Sequence, residues 1–232
     1  AKAPVATAYA VLFLIEGVRP PVAGVCSFGN VPADSPVLGQ SVRFLRDKLE
    51  APLTYEQVKV PFAYADIATF PVLFVRGEGK LTLAGATQEA VEDYLAGPGL
   101  VVVELPVTPS GAAFMNDWVA LAKKVDTGAS LKPLAEEGYL AGIKGDVTVR
   151  SVYREAGTPA IIFLPLPGGV GQAPPHGTLT TRQAAEITAN ILKFRSDPDL
   201  FGEGYPIAAG EPEELTERWK VAVAFLKGAA TL

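Results

Sequence analysis

The stretch from Phe70 to Glu104 constrains the fold of this chain more than any other. It contains two short apolar runs, Val72–Val75 and Leu100–Val103, separated by a glycine-containing loop and a segment with apolar residues at helical spacing. Short runs rich in β-branched residues are typical of strands that are buried on both faces of a parallel sheet. The order of strand, loop, helix and strand therefore predicts a βαβ unit with parallel strands and a right-handed crossover.

The predicted helix of this unit has recognisable ends. Thr87 is a good N-cap residue, apolar residues recur from Ala90 to Leu95, and a Gly-Pro-Gly turn at 97–99 ends the helix. In parallel sheets, ligands bind at the carboxyl ends of the strands. The segments Arg76–Gly79 and Glu104–Pro106 follow the two predicted strands, so they are the first place to look for a site.

A chain of 232 residues suits one α/β domain, or one domain with an appended subdomain. Of 232 residues, 49% are hydrophobic and only 19% are charged, and the mean hydropathy is +0.25. Soluble domains usually have about 25% charged residues, so either the core is unusually complete or a partner covers an apolar part of the surface. The net charge of -5 and the pI near 5.0 argue against nucleic acid as a partner.

Other segments extend the prediction to a mostly parallel sheet between two helix layers. Strands are predicted at 9–15, 147–153 (an edge strand) and 159–166, a brief extended piece at 58–60, and helices at 37–49, 112–125 and 180–195. The segment 131–145 is ambiguous, while 16–36 and 167–177 are predicted to be long loops because they are rich in proline and glycine. We interpret residues 1–197 as the α/β domain and 198–232 as an extended linker followed by an amphipathic helix.

One cysteine and one histidine limit the reactive chemistry, and a zinc site is not expected. Cys26 lies between glycines and invites comparison with a nucleophile elbow, but the second glycine is one position too far along. With His176 as base and an acid such as Glu104, it would form a thiol triad. Nothing in the spacing brings the three together, and we favour the alternative of a small loop residue and a loop histidine. No metal or cofactor is predicted.

Two further candidate sites lie at predicted strand ends. Glu78 and Glu104 would form a carboxylate pair, and the alternative is that both are solvated loop residues. A small-ligand site would use the glycines at these ends, which are Gly77, Gly79, Gly168 and Gly169. The run from 168 to 171 lacks the Gly-Lys-Ser/Thr of a phosphate loop, which argues against a bound nucleotide.

The start of the sequence bears on the compartment. It reads Ala-Lys-Ala-Pro without methionine, which fits a chain after signal-peptide cleavage and equally fits tag removal or methionine excision. We expect a periplasmic or otherwise extracytoplasmic location, with the cytoplasm as the alternative. The apolar run at 8–15 is too short to span a bilayer, so a transmembrane protein is not expected and peripheral association with a membrane complex stays open.

Several short motifs together carry a family resemblance. They are FPVL at 70–73, GEG at 77–79, VEDYL at 91–95, GPGLVVVE at 97–104, PAIIFLPL at 159–166 and ITANILKF at 187–194. Their order resembles an uncharacterised bacterial family, the domain of unknown function four-one-five-nine, over about residues 37–195. The resemblance implies a flavodoxin-like fold of the class I glutamine amidotransferase type and an often exported setting.

This chain departs from the family pattern at the strand ends. The family's Gly-Gly is replaced by Gly-Pro-Gly at 97–99, and its acidic pair is reduced to Glu104 followed by Leu105. No amidotransferase cysteine elbow follows the sheet strand. We therefore predict a non-catalytic structural or scaffold subunit that contacts other protein subunits in a larger, extracytoplasmic assembly. The alternatives are a divergent amidotransferase-like or hydrolytic enzyme, and a small-ligand or sugar-binding module.

Overall fold

A computed structural model describes residues 21–29, 31–49, 53–135, 137–144, 148–167 and 178–196. These residues form one sheet with helices on both faces. The strands are β1 (Pro21–Phe28), β2 (Thr54–Gln57), β3 (Val72–Gly77), β4 (Leu100–Pro106), β5 (Ser130–Pro133), β6 (Arg150–Tyr153) and β7 (Pro159–Leu166). The helices are α1 (Pro36–Leu49), α2 (Tyr64–Ile67), α3 (Ala86–Ala96), α4 (Pro109–Val125), α5 (Glu137–Leu140) and α6 (Thr181–Ser196).

The strand order within the described residues is β2-β1-β3-β4-β7-β6-β5. The strands from β2 to β7 in this order are all parallel, whereas β6 runs antiparallel to both β7 and β5. A hairpin made of β5 and β6 therefore extends one edge of a parallel sheet. The predicted α/β class with a mostly parallel sheet is confirmed.

The sheet separates two apolar layers because successive strand residues face opposite sides. On one side, Val72 and Phe74 belong to the cluster formed with α1 and α6. On the other side, Leu73 and Val75 belong to the cluster formed with α2, α3 and α4. Each fully buried aliphatic or aromatic side chain contributes about 1.5–3 kcal/mol to stability. A three-layer arrangement of helices, sheet and helices results.

The predicted βαβ unit is confirmed as β3, α3 and β4, with the two strands parallel. The predicted cap was wrong, since α3 begins at Ala86 and Gly85 occupies the N-cap position. Thr87 is instead buried inside the first turn, where its hydroxyl accepts a hydrogen bond from the amide of Phe62 at 3.1 Å. It therefore fixes the loop between β2 and α2 and leaves the helix end uncapped by a side chain.

The prediction of a long loop at 16–36 is wrong for Pro21–Phe28, because these residues form the buried strand β1. Proline and glycine are typical of loops, but here each has a local reason to be in this strand. Pro21 is the first residue of the strand, a position that proline tolerates. Gly24 lies under the ring of Phe70, where an added Cβ would be 2.5 Å from a ring carbon.

Three smaller predictions were also displaced. The extended piece predicted at 58–60 is β2, at Thr54–Gln57, and the ambiguous segment 131–145 contributes β5 and α5. The predicted edge strand at 147–153 is β6, which lies between β5 and β7. The strand at 159–166 and the helices near 37–49, 112–125 and 180–195 are confirmed within three residues.

The strand predicted at 9–15, the loop at 168–177 and the segment 198–232 lie outside the described residues. Within the described part of the chain, no helix has the length and apolar character needed to cross a membrane.

Candidate functional site

Two crevices are expected at the carboxyl edge of the sheet from the strand order. From β1 the chain continues to α1 on one face, and from the neighbouring β3 it continues to α3 on the other face. The chain likewise continues from β4 to α4 on one face and from the neighbouring β7 to α6 on the other. Ligands of open α/β sheets bind where neighbouring strands send the chain to opposite faces. We call the β1/β3 position the first crevice and the β4/β7 position the second crevice.

Glu104 lies beside the first crevice and is enclosed by the protein. Its side chain is only 2% exposed. One carboxylate oxygen accepts a hydrogen bond from Arg76 Nε at 2.7 Å, and the other accepts one from the hydroxyl of Ser35. Arg76 and Glu104 are register partners on β3 and β4, so their side chains leave the sheet on the same face. Both oxygens of the carboxylate therefore have partners within the fold.

Arg76 connects this ion pair to the loop that follows β1. Its Nη1 donates hydrogen bonds to the backbone oxygens of Pro32 and Asp34. Ser35, next in the chain, also accepts a hydrogen bond from the amide of Leu38 at 2.9 Å, as an N-cap residue does at the start of α1. The loop 31–35 is thus fixed across the first crevice by side chains from β3 and β4.

The electrostatic environment of Glu104 is that of a buried structural carboxylate. Burial raises its pKa, while the hydrogen bond from Ser35 and the charge and hydrogen bond of Arg76 oppose the rise. Buried ion pairs add little net stability, but removing one partner costs about 3–5 kcal/mol because a buried charge loses its counter-ion. The site suits a role in holding the loop in place.

Cys26 is not in a loop, because it lies within β1 and is fully buried. Burial raises the pKa of its thiol to about 12, so the thiol is protonated at neutral pH and is a poor nucleophile. Cys26 packs in the layer of α3 and α4, whereas alternation along β4 directs Glu104 to the opposite face. The sheet therefore separates two members of the thiol triad, which was the less favoured interpretation, and the third, His176, lies outside the described residues.

Glu78 and Glu104 do not form a carboxylate pair, because each has its own separate partners. Glu78 is exposed, and its nearest hydrogen-bond donor is the hydroxyl of Ser110 at 3.4 Å, in the first turn of α4. The alternative of a solvated loop residue is therefore correct for Glu78. Glu104 is buried on the α1 face, and its partners are Ser35 and Arg76.

The glycines predicted to bind a ligand have structural reasons of their own. An added Cβ at Gly77 would be 2.3 Å from the ring of Phe114, so this glycine lets α4 pack over the end of β3. Gly79 has φ of 76°, which favours glycine, and its amide donates to the backbone oxygen of Ser110 at 2.9 Å. Gly168 and Gly169 lie outside the described residues.

The second crevice is an open cleft of about 850 Å³ between the ends of β4 and β7. Its apolar lining includes Leu105 from β4, Phe163 from β7 and Met115 from α4. Among the described residues that line it, none carries a carboxylate. Unlike the first crevice, it therefore holds no internal ion pair.

The polar lining of the second crevice consists of one arginine and three threonines. They are Arg150, Thr108, Thr148 and Thr178. Arg150 is exposed, and within the described part of the chain its side chain forms neither a hydrogen bond nor an ion pair. The hydroxyl of Thr178 is buried and also has no partner there. No local sequence pattern links these residues, because Arg150 reaches the cleft only through the antiparallel register of β6, which places it opposite Phe163.

No group of three or more histidine, cysteine, aspartate or glutamate side chains among the described residues is arranged to hold a metal ion. Comparison with protein-family models gave no match for this chain, and comparison with curated proteins gave no similar sequence. Function is therefore inferred from the geometry of the two crevices.

Proposed function

We propose that this chain is a non-catalytic subunit that contacts other proteins in a larger, extracytoplasmic assembly. The observation that carries the proposal is the first crevice. Ligand sites of this type of fold lie at such a position, but here Arg76, Glu104 and Ser35 bond to one another and to the loop across it. A role in which the chain supplies a rigid body for contacts fits this arrangement better than one that needs reactive groups there.

The flavodoxin-like form of the fold is part of this proposal. If the five parallel strands are counted in chain order, their spatial order is 2-1-3-4-5, which is the order of flavodoxin-like sheets. The antiparallel hairpin of β5 and β6 is then an extension at one edge. This order also agrees with the fold implied by the resemblance to the domain of unknown function four-one-five-nine.

An exposed apolar patch next to β2 is the surface that we propose for the contact. Val60 and Tyr64 are 44% and 43% exposed, and the intervening Pro61 and Ala63 are exposed as well. Within the described residues β2 pairs only with β1, and no other described strand lies at its outer edge. Exposed apolar side chains beside an open strand edge are typical of surfaces that bind other chains.

The enzymatic alternative receives no support from the described residues. A thiol mechanism would require Cys26 to leave the interior of the sheet and to ionise far below a pKa of about 12. The small-ligand alternative is supported at a different place from the predicted glycines, namely the second crevice.

The test is the native mass of the chain isolated under mild conditions from its source, with identification of the proteins that elute with it. We expect a fixed set of partners in constant ratio and a mass well above the 24.3 kDa of the chain. The double variant Val60→Lys/Tyr64→Lys should lose these partners. The control Ala120→Lys, which also places a charge at an exposed apolar position, should keep them. A monomer, or equal behaviour of both variants, would contradict the proposal.

A further inference from the structure

We propose that the second crevice is a binding site for a small organic anion, a compact apolar body that carries one carboxylate or phosphate group. The inference is independent of the proposed subunit role, because the cleft lies between β4 and β7 whereas the patch of Val60 and Tyr64 lies beside β2 at the far edge.

The charge in the cleft points to an anion. The chain has an excess of acidic residues, with a net charge of -5, yet the described lining holds an arginine and no carboxylate. The side chain of Arg150 forms no ion pair or hydrogen bond within the described residues, whereas Arg76 is paired with Glu104. Thr108 and Pro109, which begin the 17-residue helix α4, also line the cleft, so the positive end of the helix dipole is directed towards it.

The cleft that Arg150 lines also contains hydroxyl groups that can donate to the oxygens of a carboxylate or phosphate. Thr148 and Thr178 line the same cleft. The hydroxyl of Thr178 is buried without a partner in the described part of the chain, and buried polar groups are normally hydrogen-bonded. A bound acceptor oxygen would provide the missing partner. A guanidinium group can donate two parallel hydrogen bonds to such a group, which gives orientation as well as affinity.

The apolar lining defines the rest of the ligand. Leu105, Phe163 and Met115 line the cleft together with Pro106 and Pro165. Leu105 and Phe163 are buried, and the half-buried Met115 adds an adaptable apolar surface for a ring or a branched aliphatic group. A fully hydrated ion such as free phosphate would leave this surface uncovered, so the ligand should need both parts. Pockets of this kind combine an apolar lining with a few polar groups that fix orientation.

The experiment is calorimetric titration of the full chain with phenyl phosphate and benzoate. Benzyl alcohol serves as the uncharged control, and inorganic phosphate as the anion without an apolar body. We expect Kd on the order of 1 mM for phenyl phosphate, because ligands of this size seldom bind more tightly without an optimised site. Benzyl alcohol and inorganic phosphate should each bind at least about tenfold more weakly, since each lacks one of the two recognised parts.

The variant Arg150→Gln should weaken phenyl phosphate binding about tenfold, and Arg150→Lys should restore part of it because the charge returns without the fork geometry. Lys132→Gln is the matched control, since Lys132 is an exposed cation on the adjacent β5 that does not line the cleft. Circular dichroism should show unchanged folding for all three variants. No binding of either probe at 10 mM (about ten times the expected Kd), or equal weakening by Arg150→Gln and Lys132→Gln, would overturn the site. Neither result would affect the mass measurement that tests the subunit role.

Discussion

The two crevices share a topological origin and differ in what the chain places in them. Beside the first, the guanidinium of Arg76 has an acid from the next strand as its counter-ion, and the loop after β1 lies across both. In the second, the guanidinium of Arg150 has no acid among the described lining residues, and the cleft is open. Strand order determines where a ligand site can form, but the presence or absence of an internal counter-ion decides whether the position is available.

The N-terminal ends of α1 and α4 also differ in the contacts that their capping residues make. Ser35 accepts from the amide of Leu38 and also donates to Glu104, so the start of α1 is joined to the ion pair. Thr108 accepts from the amide of Gly111 at 3.1 Å and contacts Ser110 at 2.9 Å, so the start of α4 is capped from within its own turn. The start of α1 is therefore bonded to a carboxylate of the sheet, whereas the start of α4 is bonded to the loop after β3 at Ser110 and lines the cleft at Thr108.

The largest expected effect comes from removing the acid of the first crevice. Glu104→Ala should lower the free energy of unfolding by about 3–5 kcal/mol, because Arg76 loses its buried counter-ion and Ser35 its acceptor. The control Glu78→Ala removes an exposed acid from the neighbouring loop and should change the value by no more than about 0.5 kcal/mol. Urea denaturation of both variants measures the difference. Equal values would mean that the ion pair does not hold the first crevice together.

The two arginines provide the most direct comparison. Arg76→Gln should cost about 3 kcal/mol, since the variant leaves the buried Glu104 without its charged partner and frees two backbone oxygens. Arg150→Gln should change stability by no more than about 0.5 kcal/mol, because this side chain is exposed and forms no described bond. Thermal and urea unfolding of the two variants measure both changes in stability. A large loss in Arg150→Gln would assign that residue a structural role and remove the contrast.

A smaller effect is expected at the glycine that ends β3. Gly77→Ala should destabilise the protein by about 1–3 kcal/mol, because the added Cβ would overlap the ring of Phe114. Gly39→Ala is the control within helix α1, where the nearest atom to the added Cβ is 3.8 Å away. That change should stabilise by up to about 1 kcal/mol through helix propensity. If Gly77→Ala were neutral, a role in close approach to a ligand would again be open.

The smallest expected effect is a pH dependence that only the first crevice should have. Because burial raises the pKa of Glu104 in the folded state, the folded protein retains this proton to higher pH than the unfolded chain. The contribution of Glu104 is therefore most favourable below the ordinary carboxyl pKa and decreases as the pH rises through the raised value. The stability difference between the natural chain and Glu104→Gln should narrow over this range, as urea titrations at several pH values would show. A widening difference would indicate that Arg76 and Ser35 outweigh burial.

The sequence predicts where the first crevice lies, but it does not predict which residues bond to one another there. Arg76 and Glu104 lie in the two strand ends singled out beforehand, since β3, α3 and β4 carry clear local patterns. The partner Ser35 is 69 residues from Glu104 in sequence, and no local pattern links them. The sequence does not predict the strand β1, because the glycine at position 24 is needed only for close contact with the ring of Phe70. This contact exists only in the folded sheet. The second crevice depends on the register of a hairpin, which a single sequence does not reveal.

The clamp of Arg76 on the loop 31–35 also has a consequence for the order in which the protein assembles. Its bonds join residues 42 and 44 positions apart, and they serve the loop only after β3 has paired with its neighbours. Closing such long segments costs chain entropy before any contact compensates for it. We expect α1 to dock late, so that Glu104→Ala speeds unfolding with little change in the folding rate. The ion pair would then mainly slow unfolding, which lengthens the lifetime of the native state.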